Sequence, residues 1–112
     1  MQRSEIGSVF AALQKIIDAL SSGDLQAVVD NGTSGHLTHA ELARALNDYP
    51  GRVVAQKTDP GRANIIAYAH DPHAGMIEYE LETDDGASDL TLSCEYRLNQ
   101  PPLVRIENIH VL

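Results

Sequence analysis

From residue 75 to residue 98 the chain alternates apolar and polar side chains with a period of two, broken once at Asp84-Asp85-Gly86. Ile77, Tyr79 and Leu81 fall on one parity, with Glu78, Glu80 and Glu82 on the other. Past the break, Leu90, Leu92, Cys94, Tyr96 and Leu98 oppose Thr91, Ser93, Glu95 and Arg97. Successive side chains of a strand point to opposite faces, so the pattern predicts two antiparallel strands, 75–83 and 89–98, with one covered face and one wet face.

The wet face is acidic. No lysine or arginine occurs between Arg62 and Arg97, while Asp71, Glu78, Glu80, Glu82, Asp84, Asp85, Asp89 and Glu95 lie in that gap, half of the chain's 16 carboxylates. With a rise of about 3.3 Å per residue, the glutamates at 78, 80 and 82 stand roughly 7 Å apart on one strand face. Glu95 is expected across from them. Like charges that close cost on the order of a few tenths of a kcal/mol per pair, a cost more readily accepted when the surface is used.

The other segments follow from local signals. Ile6, Val9, Phe10, Leu13, Ile16, Ile17 and Leu20 recur every three or four positions, which predicts a helix over 5–20 capped by Ser4. Gly23 ends it, and Asp24 is suited to cap a short second helix stopping at Asn31-Gly32. Thr38 and Glu41 form a Thr-x-x-Glu capping box before a third helix that ends at Tyr49-Pro50-Gly51. Strand candidates then run over 52–56 and 64–70, with a turn at 71–75 ahead of the acidic pair. In the final strand, 103–112, Val104 and Ile106 share one parity and Ile109 and Val111 the other, which predicts either a bulge near Glu107-Asn108 or a segment that passes from one covered face to the other. The expected architecture is α+β: one domain over 1–112, with three N-terminal helices on one face of a four- to five-stranded antiparallel meander, the last strand paired inside the sheet.

Two resemblances add to this reading. The run Ile16-Ile17-Asp18-Ala19-Leu20-Ser21-Ser22-Gly23-Asp24-Leu25-Gln26-Ala27-Val28 resembles the opening helix pair of cystatin-like cone folds, the superfamily of nuclear transport factor 2 and ketosteroid isomerase. Ser88-Asp89-Leu90-Thr91-Leu92 and the terminal Ile106-Glu107-Asn108-Ile109-His110-Val111-Leu112 resemble the closing strands of an uncharacterised family of small bacterial proteins. The first implies a cone with a cavity between sheet and helices. The second implies a fold relationship and no activity.

Composition narrows function by exclusion. The chain has 112 residues and a formal charge of −8, which disfavours nucleic acid and anionic membrane, both polyanions that call for Lys and Arg. No signal-peptide core or transmembrane run is expected, and the single cysteine, Cys94, cannot form an internal disulfide, so a cytoplasmic protein with an inert buried thiol is expected. No phosphate loop or nucleophile elbow occurs, no residue is assigned a catalytic role, and no cofactor is implied. The pairs His36/His39 and His70/His73 have His-x-x-His spacing, but both lie at turns or a helix start, where surface or capping histidines are the commoner use, and no metal site is assigned.

Two functions follow. The first is a binding protein whose Glu78, Glu80, Glu82, Asp84, Asp85 and Glu95 dock a basic protein, in the manner of immunity proteins that neutralise bacterial toxins. The second is a cone-fold small-molecule binder or enzyme, with Tyr68, His70, Tyr79, Tyr96 and His110 lining an inward pocket. An exposed sheet edge also leaves a homodimer open.

Overall fold

The computed structural model describes residues 1–111. Helix α1 spans Arg3–Ser22, α2 Leu25–Asp30 and α3 His39–Asn47; a single 3-10 turn, Pro60–Arg62, then leads into strands β1 (Ala63–Tyr68), β2 (Asp71–Thr83), β3 (Gly86–Arg97) and β4 (Leu103–Val111). The four strands pair in chain order, β1-β2-β3-β4, every neighbour antiparallel. The fold is therefore α+β, an open four-stranded meander with three helices. Leu112, the last residue of the expected final strand, lies outside the described residues.

Local chemistry sets the helix ends. α1 begins earlier than Ser4 would dictate, because Gln2 is the cap and its N–H donates to the Glu5 carboxylate at 2.8 Å. Gly23 closes α1 in the left-handed region at φ 80°, and the Asp24 N–H reaches back to the Ala19 carbonyl at 3.0 Å. The Asp24 side chain then accepts the Ala27 N–H at 3.2 Å and starts α2, so one corner both stops and restarts the chain. The Thr38 box forms in both directions: Glu41 N–H to Thr38 Oγ1 at 3.1 Å and Thr38 N–H to Glu41 Oε1 at 3.0 Å. These bonds, the backbone one first, hold the Glu41 carboxyl below its ordinary range.

The core lies between α1 and the sheet. Val9, Phe10, Leu13, Ile16, Ile17 and Leu20 of α1 are buried against Ile77, Tyr79, Leu81, Leu90, Leu92, Cys94 and Tyr96 of the central hairpin and Val104, Ile106 and Ile109 of β4. The parity slip in β4 is a bulge at the expected place. Ser93 pairs with Asn108 but Cys94 pairs with Ile106, which leaves Glu107 as the extra residue. That one insertion lets Ile106 and Ile109 face the same core.

Two expectations about the strands fail. Residues 52–56 contribute a single bridge, Val53 to Thr83, rather than a fifth strand. The reason is a side chain standing in for backbone: Gln56 Oε1 accepts the Glu82 N–H at 2.8 Å while its Nε2 donates to the Glu82 carbonyl at 3.1 Å. Gln14 of α1 holds the same segment from the other side, bonding the Gln56 carbonyl and the Thr58 N–H, each at 2.7 Å. The expected turn at 71–75 is instead already strand, since Tyr68 pairs with Asp71 across Ala69-His70 and β2 runs on unbroken.

Gly75 of β2 is crowded from both neighbouring strands. A Cβ there would collide with the Ile66 carbonyl and the Tyr96 hydroxyl. Gly75→Ala is expected to lower stability in chemical denaturation by about 1–3 kcal/mol, the usual cost of overpacking. Gly7→Ala, where nothing stands within 4 Å of the added atom, should leave stability unchanged or raise it by about 1 kcal/mol.

Candidate binding surface on the outer sheet face

The sheet face turned away from the helices is built in rows by the strand register. Ile66, Met76, Glu95 and Arg105 form one row, Asn64, Glu78, Ser93 and Asn108 the next, and Glu80, Thr91 and His110 the third. Its middle is small and polar. Thr91 and Ser93 are only 1% and 5% exposed, with Glu80 and Glu78 of β2 opposite them on one side and His110 and Asn108 of β4 on the other. Ser93 Oγ lies 2.9 Å from His110 Nε2, which ties β3 to β4 across this face.

The acidic residues divide into two groups. Near the β1–β2 turn, the Glu95 side chain is 15% exposed and accepts from the Tyr68 hydroxyl at 2.9 Å, Arg105 Nη2 at 3.2 Å and Arg97 Nε at 3.3 Å. Arg97 also approaches Asp71 at 3.9 Å. The Tyr68 bond first, and then the arginines, hold the Glu95 carboxyl below its ordinary range. Burial, followed by the bond to Glu95, pushes the Tyr68 phenol upward. His70 stacks on Tyr68, the rings 6.0 Å apart and nearly parallel.

Toward the β2–β3 turn the acids are freer. Glu78 accepts from Asn64 Nδ2 at 3.1 Å and Glu82 pairs with Arg62 at 2.9 Å. Asp84 accepts the Arg52 N–H at 2.9 Å, and Asp89 accepts the Tyr49 hydroxyl at 2.8 Å, bonds that leave both residues exposed. Glu80 and Asp85 are exposed and, among the described residues, no basic side chain pairs with them. The sequence gap without bases is thus partly closed in space by Arg62 and Arg97, the residues that bound it, and by Arg105 from β4.

Of the five tyrosine and histidine positions expected to share an inward pocket, only Tyr68 and His70 come together, and they do so on the outer face. Tyr79 and Tyr96 are core residues, 0% and 2% exposed, and the Tyr79 hydroxyl accepts the Asp59 N–H at 3.0 Å. Tyr68 shares the parity of Asn64 and Ile66 and points to the outer face, with His70 stacked on it. His110 pairs with Thr91 and lies on that face too. Grooves do occur at the margins. One of about 670 Å³ lies between the α1 end, α3 and residues 49–53, and another of about 630 Å³ between α1, α2 and the start of β4. Neither is lined by Tyr79 or Tyr96.

Among the described residues, no three His, Cys, Asp or Glu side chains are placed to hold a metal ion; His36 precedes α3 and His39 opens it, while His70 lies in the β1–β2 turn and His73 inside β2. Cys94 is buried in the core, where desolvation pushes its thiol far up. No helix among the described residues is long and apolar enough to cross a membrane.

A helix layer on one face of an antiparallel meander, with an acid-rich polar face left open on the other, defines a small α+β domain with its most distinctive chemistry on the bare side of the sheet. The chain belongs to the family described as Domain of unknown function (DUF7668), which it matches over residues 17–112. No curated protein and no solved structure matches it.

The lowered Glu95 carboxyl has a sign. A carboxylate whose value is depressed on folding contributes stability above the ordinary value of 4.5 and loses that contribution as pH falls through the folded value. Acid titration of stability should therefore be less steep below pH 4.5 in Glu95→Gln than in the native chain, measured by thermal melts at successive pH values.

Proposed function

We propose that the chain is a non-catalytic binding protein that acts in the cytoplasm by docking a basic protein, in the manner of an immunity protein that neutralises a toxin. The observation that carries this reading is the unneutralised end of the outer face. Glu80 and Asp85 stand exposed there with Asp84 and Asp89 beside the β2–β3 turn, while Glu82 and Glu95 are held by arginines. Complementary charge speeds encounter and rejects wrong partners, and a rigid sheet presents it without an ordering cost.

Glu78, bonded by the neutral Asn64 amide, extends this patch along β2, Glu82 borders it as the partner of Arg62, and Glu95 serves to fix the opposite end. The long α1 laid over an antiparallel meander supports a cystatin-like cone as the finer fold relationship. Its interior is filled by Leu13, Ile17, Tyr79, Leu92 and Cys94, all 0% exposed, so a cone here is better suited to a scaffold than to a ligand chamber.

The test uses the full chain as bait against proteins of the native cell at low and high salt, beside the double charge reversal Glu80→Lys/Asp85→Lys. A basic protein retained by the native chain should bind the variant at least about tenfold more weakly, roughly 1.4 kcal/mol, and should elute as salt rises. Retention that ignores both salt and charge reversal contradicts the reading.

A further inference from the structure

The two edges of the sheet are finished differently. The β4 edge is blocked at its middle: the Thr33 carbonyl accepts the Ile106 N–H at 2.8 Å, and Gly35 sits so close to the Ile106 carbonyl that a Cβ would strike it, while Leu103 and Val111 at its two ends are exposed. The Glu107 bulge breaks its ladder, and Arg105 and Glu107 add charge. Along Ala63–Ala67 the β1 edge has none of these devices among the described residues; its one register shift falls at the end of the strand, between Ala67 and Tyr68. Ala63–Tyr68 contains no charged residue and no proline, and its register to β2 is regular from Ala63 to Ala67. Ile65 and Ile66 are 36% and 48% exposed, one on each face of the sheet. A bare, uncharged edge is a template for another strand, which proteins ordinarily block with charge, a bulge or a covering loop.

We propose that β1 pairs antiparallel with β1 of a second copy of this chain, joining two four-stranded meanders into one continuous sheet. Charge selects this occupant. At a formal charge of −8, two copies repel wherever carboxylates meet, and β1 is the one strand of the four without a carboxylate. A basic partner gains nothing at an edge that offers no acid, whereas a second copy gains backbone hydrogen bonds and cover for two isoleucines.

Symmetry is satisfied as well. A two-fold axis normal to the sheet keeps the helix layers of both copies on one side and pairs residues of equal parity. Centred on Ile65, it sets Ile65 against Ile65 of the second copy and Ile66 against Asn64. Centred on Ile66, it sets Ile66 against Ile66 and Ile65 against Ala67. Neither register opposes two carboxylates, and both leave Glu80 and Asp85 at the β2–β3 end in solvent.

Sedimentation velocity of the full chain across the micromolar range tests this at low and at high salt. The native chain should move toward twice the monomer mass as concentration rises, with no weakening by salt. Ile65→Lys and Ile66→Lys should each stay monomeric, with far-UV circular dichroism unchanged because both side chains already reach solvent. A native chain that is monomeric throughout, a dimer that persists in both variants, or a dimer that salt dissociates overturns the proposal.

Discussion

The structure depends on the ladder between β2 and β3. Ile77 opposes Cys94, Tyr79 opposes Leu92 and Gly75 opposes Tyr96, so the two strands present one unbroken apolar face. α1 needs that face to bury its stripe, and β4 needs β3 to pair with. Because strand side chains alternate strictly, a slip of one residue in this register would exchange the buried row for the glutamates. The same alternation that builds the core therefore fixes the acids on the other side, and neither can move without the other.

What the acids do is then decided by where arginines can reach. Arg97 and Arg105 flank Glu95 from its own strand and from β4, and the Tyr68 hydroxyl completes the site. Arg62 reaches Glu82 from the turn before β1 and also bonds the Glu80 carbonyl at 3.2 Å. Among the described residues, no comparable group reaches the side chains of Glu80 and Asp85. The outer face is consequently uneven: its β1–β2 end is cross-tied and structural, while at its β2–β3 end Glu80 and Asp85 keep their charge beside the paired Glu82. Exposed pairs of this kind add little stability one by one, so their main effect is on where negative potential remains.

Much of this was legible in residue order because it is local. The alternation of 75–98, the α1 stripe, the Thr38 box and the Glu107 bulge each rest on side chains a few positions apart. The failures are contacts between distant segments. Gln56 replaces a strand's backbone by its side-chain amide, pairing with Glu82, and glutamine in a strand-like run gives no sign of that. Tyr68 meets Glu95 only because β1 and β3 lie on either side of β2. Strand parity alone does not say which way Tyr68 faces; the pairing of Asn64 with Glu78 shows that its parity faces out. The arginines bounding the acidic gap were visible, but their reach into it depends on the turn before β1 and on the pairing of β4.

If the inner row folds the chain, the unpaired carboxylates at the β2–β3 end of the outer row, Glu80 and Asp85, contribute little to holding it folded. The most direct measurement is the unfolding free energy of Glu80→Gln/Asp85→Asn in chemical denaturation. Stability should stay within about 0.5 kcal/mol of the native chain, or rise above it, as for surface positions without structural partners. A loss beyond about 1 kcal/mol would contradict this, because those carboxylates would then be holding the fold together.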